Sequence, residues 1–345
     1  MRILLPLVVL SACSSENEII ATDAVRGVSL PPVPENPVQE DRIVQVVVPV
    51  VDILFVVDNS SSMGNEQQAL HTNFPQFMEH FVTSGMDYHI GMVSTDMQRA
   101  AHSGKLRAAR GYRYINDETD DPIGVFEDMT NGLGVLVGSV ESGRAAAYTA
   151  LELIADSSTN TGFLRDEADL HMIFVSDDED QSGANPIRRS EFIQWATTMK
   201  DGAASVQMHG IVAPPNGCGT ETAPGLSYID YAVATNGITQ SICAADWGPG
   251  LNALGLRTAG LKREFFLTRV PVITPELLLE VQVRTVIEGQ AVTLDFELCL
   301  AGQEDETCEV VYNPGRNSIS FIEYVPDPLA EILLTYKIAE NYSAQ

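Results

Sequence analysis

The sequence predicts an α/β fold: a doubly wound, Rossmann-like domain over residues 43–262, followed by a small antiparallel β-sandwich-like domain over residues 263–345. Three observations predict it. Apolar, β-branched runs such as Val51-Asp52-Ile53-Leu54-Phe55-Val56-Val57 break abruptly into polar loops, as strands buried on both faces of a parallel sheet do. From Asp52 to Lys262 such runs alternate with helical patterns, the rhythm of repeated strand–helix units. Beyond Phe265 successive strands follow one another, separated by turns such as Asn313-Pro314-Gly315 and Val325-Pro326-Asp327-Pro328. The chain has 345 residues, 45% hydrophobic and 19% charged, enough for two cores.

Taken in order, residues 1–12 read as a signal peptide rather than as structure. Arg2 supplies a positive start, Ile3 to Leu10 an apolar run too short to span a bilayer, and Leu10-Ser11-Ala12-Cys13 a small-residue cleavage site ending in cysteine. That tetrapeptide resembles a bacterial lipoprotein signal, which implies lipidation of Cys13 and a place in the cell envelope. By the sorting pattern of such lipoproteins, Ser14 implies the outer membrane, with the body facing either the periplasm or the outside. No later stretch is long and apolar enough for a transmembrane helix, so the lipid anchor is the one membrane attachment expected. Residues 13–42 are acidic and carry Pro31, Pro32, Pro34 and Pro37, the composition of a disordered tether. The formal net charge of -27 argues against nucleic acid and against electrostatic adhesion to anionic membranes. Ile43 to Val50 is a candidate strand that either leads the first sheet or joins the later β domain.

The strand ending at Val57 runs into Asp58-Asn59-Ser60-Ser61-Ser62-Met63-Gly64. Asp58, Ser60 and Ser62 alternate, so an extended backbone turns all three to one side. One carboxylate and two hydroxyls form an oxygen-only set suited to a hard divalent cation. They stand at the edge where open α/β sheets bind ligands. A Ser-rich turn capping the next helix is the plainer alternative. Leu70, Phe74, Phe77, Met78 and Phe81 follow at helical spacing as a core stripe, with Pro75 predicting a kink or a break.

His89 to Asp96 is the next strand; Asp96 either stands behind the metal loop or ends the strand as a turn acid. Gly132-Leu133-Gly134 precedes its apolar run instead of following a strand, which argues against a dinucleotide fingerprint. Gly138-Ser139-Val140-Glu141-Ser142-Gly143 leads into an Ala-rich helix, Arg144 to Ala155, with Ser139 or Ser142 as its cap. His171 to Ser176 is a second buried strand ending in acids. Asp178, Glu179 and Asp180 either hold an adjacent calcium ion or favour the positive end of a helix from Arg188 to Lys200. Val206 to Ala213 and a helix from Leu251 to Lys262 complete the domain.

Setting Cys13 aside leaves four cysteines, an even number suited to an oxidising compartment. Cys299 and Cys308 flank a polar loop and are expected to close a hairpin; Cys218 and Cys243 would then staple the Pro/Gly-rich loop after Val212. Four cysteines allow three pairings, and neighbour pairing is the preferred one.

Asp58-x-Ser60-x-Ser62 behind Ile53-Leu54-Phe55-Val56-Val57, with the later Ser176-Asp177 pair, resembles the metal-ion-dependent adhesion site of von Willebrand factor type A domains. The resemblance implies a magnesium ion, or calcium or manganese in its place. Ser60, Ser62 and Ser139 would ligate directly, and Asp58 and Asp177 directly or through water. Ser139 matches a loop position where the family has threonine, and Glu141 lies close enough to compete with it. Asp178 stands where many relatives have glycine. The implied activity is adhesion, in which a protein ligand presents a Glu or Asp carboxylate to the metal. The competing readings are an envelope scaffold with a structural or empty metal site, and a metal-assisted hydrolase. The sequence lacks a G-x-S-x-G elbow, an H-E-x-x-H helix and a P-loop, and this favours a binding protein over an enzyme.

Overall fold

The computed structural model describes residues 38–45, 50–82, 86–137, 140–200, 206–219, 223–272, 279–287 and 289–338. The signal peptide, Cys13, most of the tether and Ser139 lie outside the described residues.

The first described strand, β1 (Val38–Val44), does not join the sheet that follows it. That sheet consists of β2 (Val50–Val57), β3 (Asp87–Ser94), β4 (Asp169–Ser176), β5 (Val206–Val212) and β6 (Thr239–Ser241). All its pairings are parallel and the order is β3-β2-β4-β5-β6. Among the described residues six helices cover it: α1 (Gly64–Val82), α2 (Pro122–Leu133), α3 (Gly143–Tyr148), α4 (Arg189–Thr198), α5 (Leu226–Ala234) and α6 (Gly248–Thr258). Because side chains alternate along a strand, Val51, Ile53, Phe55 and Val57 of β2 enter one core with α1, α2 and α6. Leu54 and Val56 enter the other, with α3, α4 and α5. The strand is therefore apolar at nearly every position, which is how two-sided burial shows in sequence.

The stripe expected in α1 is core: Leu70, Phe74, Phe77, Met78 and Phe81 are all buried, and Phe55 meets Phe74, Phe77 and Phe126 edge-on. Pro75 lies inside α1 without ending it. The helix expected from Arg144 is shorter, continuing after Tyr148 as one widened π turn over Thr149–Leu153. Helix α5 falls within the stretch expected only as a Pro/Gly-rich loop, and α6 begins at Gly248 rather than Leu251. Asp52, the one charge inside β2, is buried beside Arg165, whose Nε donates to it at 2.8 Å.

The C-terminal strands are β7 (Glu264–Phe266), β8 (Leu279–Ile287), β9 (Gln290–Phe296), β10 (Leu298–Leu300), β11 (Val310–Asn313), β12 (Ser318–Phe321) and β13 (Glu331–Lys337). They form two sheets, β1-β13-β8-β9 and β10-β11-β12-β7, which share one core that includes Val283, Tyr312, Ile319, Ile332 and Tyr336. Strand β1 thus belongs to the domain at the other end of the chain, running antiparallel to β13 with Asp41 opposite Leu334. The α/β domain is inserted between the first and second strands of the sandwich. The expected tether over 13–42 and the α/β start at residue 43 are both displaced by this pairing. The sequence left the strand beginning at Ile43 open between the two domains; Ile43 and Val44 lie in the later β domain, on a strand that starts earlier, at Val38.

Asp41 explains why β1 stays there. It is buried, and its carboxylate accepts hydrogen bonds from Thr268 N at 2.8 Å and from the Tyr336 hydroxyl at 2.7 Å. Burial alone would raise its carboxyl, but these donors outweigh it and hold the pKa below the ordinary value. We expect Asp41→Ala to cost about 1–3 kcal/mol, since it strands those donors in the core. Equilibrium urea unfolding would show this as a lower midpoint, and an unchanged midpoint would refute the role. Gln45 then crosses between the domains, its amide donating to Lys262 O at 2.9 Å and Pro326 O at 3.2 Å.

Cys218 pairs with Cys243 and Cys299 with Cys308, at Cα separations of 6.1 and 5.8 Å. The second bridge does not close a hairpin: β10 and β11 run parallel, so the intervening loop carries the chain back to its starting edge. Two disulfides fit an extracellular or envelope protein. Among the described residues no helix is long and apolar enough to cross a membrane.

Candidate functional site at the β2–β4 boundary

Strand β2 lies between β3 and β4, and the chain passes over it in going from β3 to β4. Helix α1, which follows β2, and helix α3, which precedes β4, consequently pack on opposite faces. Such a switch point leaves a crevice at the carboxyl ends of the strands. The loops after β2 and β4 meet there, together with the loop entering α3.

The chain leaves β2 with Asp58 N still donating to Val175 O at 2.8 Å. Asp58 is fully buried. One carboxylate oxygen accepts the Ser60 N–H at 2.7 Å and the other accepts the Ser176 hydroxyl at 2.7 Å. These two bonds turn the following loop so that the Ser60 and Ser62 hydroxyls lie 3.1 Å apart. Ser60 is 9% exposed and Ser62 is open to solvent, so the pair faces outward from a buried base. Below them, the Gln67 amide of α1 donates to Asp58 O at 3.0 Å and Gly134 O at 3.3 Å. Asp58 thus lies at the base of the loop with the Ser60 and Ser62 hydroxyls above it, and residues 61–63 form a turn rather than the extended backbone expected.

Asp177, next after β4, is buried near Asp58, and Glu141 reaches the same place from the loop before α3. The Glu141 carboxylate accepts the Gln181 amide, and Glu141 O accepts the Gln181 N–H at 2.7 Å. Burial pushes the Asp58 carboxyl up to about 7, against the Ser60 and Ser176 bonds, and the charges of Glu141 and Asp177 push the same way. Burial, and then Asp178 and Asp177, likewise raise Glu141. Neither Asp58 nor Glu141 forms an ion pair among the described residues. Asp177 thus raises the pKa of both of the others, as like charges brought together in a buried place do.

The donor set fits a hard divalent ion, but only with its hydroxyls. Among the described residues no group of three His, Cys, Asp or Glu side chains could hold a metal by itself. Ser60 and Ser62 are therefore indispensable to such a site, with carboxylates around them.

The remaining acids are already in use. Glu179 accepts Ser227 N at 3.0 Å and the Ser227 hydroxyl, which caps the first turn of α5. Asp180 is paired with buried Arg144 at 3.1 Å. An adjacent calcium site built on these two is thus not supported, and the helix end that is favoured is that of α5, not α4. Asp96 is a strand-ending turn acid: its oxygens take Gln98 N at 2.8 Å and the Arg99 guanidinium at 2.8 Å.

One buried Ser–His pair escaped the sequence reading. The Ser94 hydroxyl lies 3.0 Å from His102 Nδ1, but it also accepts the Asp96 N–H at 3.1 Å. With Asp96 committed to Gln98 and Arg99, no acid orients the imidazole as a hydrolytic triad requires.

Sequence reasoning also missed Ser176, Gln67 and Gln181 as supports of the loop. Gln67 alone left a signal: a polar residue three positions before Leu70, on the apolar stripe of α1. Gly143 belongs to this framework too, since a Cβ there would stand 2.6 Å from the Tyr228 hydroxyl. Only glycine lets the loop lie so close to α5.

No family model matches the chain, and no curated protein matches it. Among solved structures it is similar to a von Willebrand factor type A protein from Catenulispora acidiphila, with a TM-score of 0.38, 10% identity, and coverage of 92% of this chain and 68% of that one. It is also similar to the pilus adhesin SpaC from Lactobacillus rhamnosus GG in its open conformation, with a TM-score of 0.42, 11% identity, and coverage of 91% and 43%. A third is proximal thread matrix protein 1 from the mussel byssus, with a TM-score of 0.37, 13% identity, and coverage of 67% and 51%. The chain spans less than half of the adhesin's length and about half of the matrix protein's. Identities of 10–13% carry over no residue's role.

Proposed function

We propose that this chain is a binding protein of the bacterial cell envelope whose α/β domain takes up a divalent cation at the β2–β4 boundary. In this reading Ser60 and Ser62 ligate the ion directly, Asp58 and Asp177 hold it directly or through water, and the loop carrying Ser139 and Glu141 supplies a further oxygen. Magnesium is the first choice, with calcium or manganese as alternatives, since all three take oxygen donors. The partner is a protein that presents a Glu or Asp carboxylate to the ion. The observation that carries this reading is the clustering of Asp58, Ser60 and Ser62 with the buried acids Asp177 and Glu141 nearby, where among the described residues no basic neighbour is paired to Asp58 or Glu141.

A formal charge of -27 otherwise repels acidic partners, and a bound cation reverses the sign locally. The proposal extends to lipid attachment through Cys13 at the outer membrane, which rests on the tetrapeptide ending in that cysteine. A scaffold without an exchangeable metal is the second reading.

Isothermal titration of the full chain with magnesium, calcium and manganese tests the site. We expect saturable binding by the wild type and none by an Asp58→Ala, Ser60→Ala double variant. At about 100 times Kd the ion would add about 2.7 kcal/mol of stability, visible as a rise in Tm that chelator reverses. No binding by the wild type refutes the metal reading and leaves the scaffold. A fragment beginning at Ile43 is unsuitable, because it removes most of β1 and with it Asp41.

A further inference from the structure

We infer that the free edge of β7, where the two domains meet, takes up an extended acidic segment of a partner protein as an added strand. The edge is open by position: among the described residues β7 ends its sheet and pairs only with β12. Arg263 O and Leu267 N are committed to that neighbour, the first accepting Phe321 N at 3.0 Å and the second donating to Asn317 O at 2.9 Å. Because bonding alternates along an antiparallel strand, the N–H and C=O groups of Glu264 and Phe266 point the other way. Thr268, next in that register, agrees: its N–H turns from β12 to the Asp41 carboxylate of β1 at 2.8 Å.

The same edge borders a groove of about 700 Å³ whose apolar lining includes Ile43, Val44 and Phe266, the last two exposed. Its charged residues are Arg257, Lys262, Arg263 and Glu264. Glu264 is already neutralised by Arg316 at 3.0 Å. The three cations have no carboxylate partner among the described residues. Arg257 donates to Gln207 Oε1 at 3.0 Å and Asn236 O at 2.7 Å, and Arg263 to Ile322 O at 3.3 Å, all neutral acceptors. Gln45 and Arg263, both in the lining, each keep a buried polar atom, Oε1 and Nε, without a hydrogen-bond partner.

Uncompensated cations gathered at one place in a chain of net charge -27 select for an acidic partner there. An added strand takes its backbone bonds from Glu264 and Phe266. Its apolar side chains suit Ile43, Val44 and Phe266, and its acidic ones suit Arg257, Lys262 and Arg263. Backbone pairing then supplies affinity, and the cations supply the choice of partner. No divalent ion is required, so this surface works independently of the Asp58 loop.

The test is run in chelator, which separates it from the metal reading. The full chain at low salt is titrated with a fluorescent eight-residue peptide alternating Glu and Val, and hydrogen exchange is followed at Glu264 and Phe266. We expect saturable binding that slows exchange of both amides and weakens as salt is added. A Lys/Val peptide of the same length should not bind. Lys262→Glu, at an exposed side chain, should weaken binding at least about fivefold. Phe266→Pro removes a free N–H, a loss that edge strands tolerate, and should abolish binding. No binding by the wild type, equal binding of the two peptides, or full binding by Phe266→Pro overturns the inference. A dimer whose Glu264 and Phe266 amides exchange slowly before any peptide is added also overturns it, and assigns the edge to a second copy.

Discussion

Asp58→Asn should stabilise the metal-free chain at and above neutral pH while abolishing its divalent-cation binding. The wild-type carboxyl is pushed from 3.8 up to about 7, by burial first, and then by Glu141 and Asp177. Between those values the folded chain holds a proton that the unfolded chain has released. Stability contributed by this group is therefore present at low pH and lost as pH rises from about 4 through about 7. A shift of that size corresponds to about 4 kcal/mol. Asparagine removes the dependence. It can keep its bond from Ser60 N, and its amide can donate to Ser176 Oγ, because that hydroxyl has a second acceptor in Asp178 O at 3.1 Å.

Thermal melts in chelator from pH 5 to 8 read this directly. Wild type should lose stability relative to the variant as pH rises, leaving the variant ahead by about 2–4 kcal/mol at pH 8. If the two profiles run parallel, Asp58 is not the titrating group. On the proposed metal reading the order should invert in magnesium, because only the wild type would gain from binding. Metal uptake near neutral pH should then release protons, measurable as buffer-dependent heats.

The second large effect runs the other way with pH. His171 and His209, on neighbouring strands β4 and β5, are buried with Nδ1 and Nε2 3.0 Å apart. His209 Nδ1 also accepts the Ile238 N–H at 3.2 Å. Its proton is therefore on Nε2 and points at His171 Nδ1. A second proton on either ring has no acceptor: on His209 it meets the Ile238 N–H, and on His171 it meets the His209 N–H. Burial, with Arg257 nearby, lowers His209 to about 3, and burial with His209 and Arg257 lowers His171 well below its ordinary value.

Here the folded-state pKa is depressed, so the unfolded chain takes up protons first. Stability falls as pH drops below about 6.5, by about 2 kcal/mol at pH 5 for His209 alone and by about 5 kcal/mol near pH 3. His209→Asn isolates the effect. Its side-chain oxygen can accept Ile238 N–H, but His171 loses its donor, costing about 1–3 kcal/mol at pH 7.5. The variant should therefore start lower and decline less steeply, so that the two urea-derived stabilities converge toward pH 5. Parallel curves would mean that the pair does not titrate on unfolding.

The sequence by itself determined much of this protein. Continuous apolar runs at Val51–Val57 and His171–Ser176 could only be strands buried on both faces, which dictates helices on either side of a parallel sheet. The stripe from Leu70 to Phe81 fixed the first helix, and the alternation of Asp58, Ser60 and Ser62 singled out the loop after β2. Those signals are local, carried by spacing over a few residues. The parity and loop placement of four cysteines likewise anticipated both bridges.

Only the tertiary structure decided the rest, because it depends on partners distant in sequence. Strand β1 is made a strand by β13, whose residues lie almost 300 positions away: Asp41 meets the Tyr336 hydroxyl across a separation of 295. The parallel pairing of β10 with β11 reversed the expected hairpin without disturbing the disulfide. At the loop after β2, alternation named the hydroxyls, but only the convergence of loops bound Glu141 to Gln181, Asp180 to Arg144 and Glu179 to Ser227. Spacing reports which face a residue occupies. Which charges end up sharing a buried volume follows from loop packing that no local pattern records.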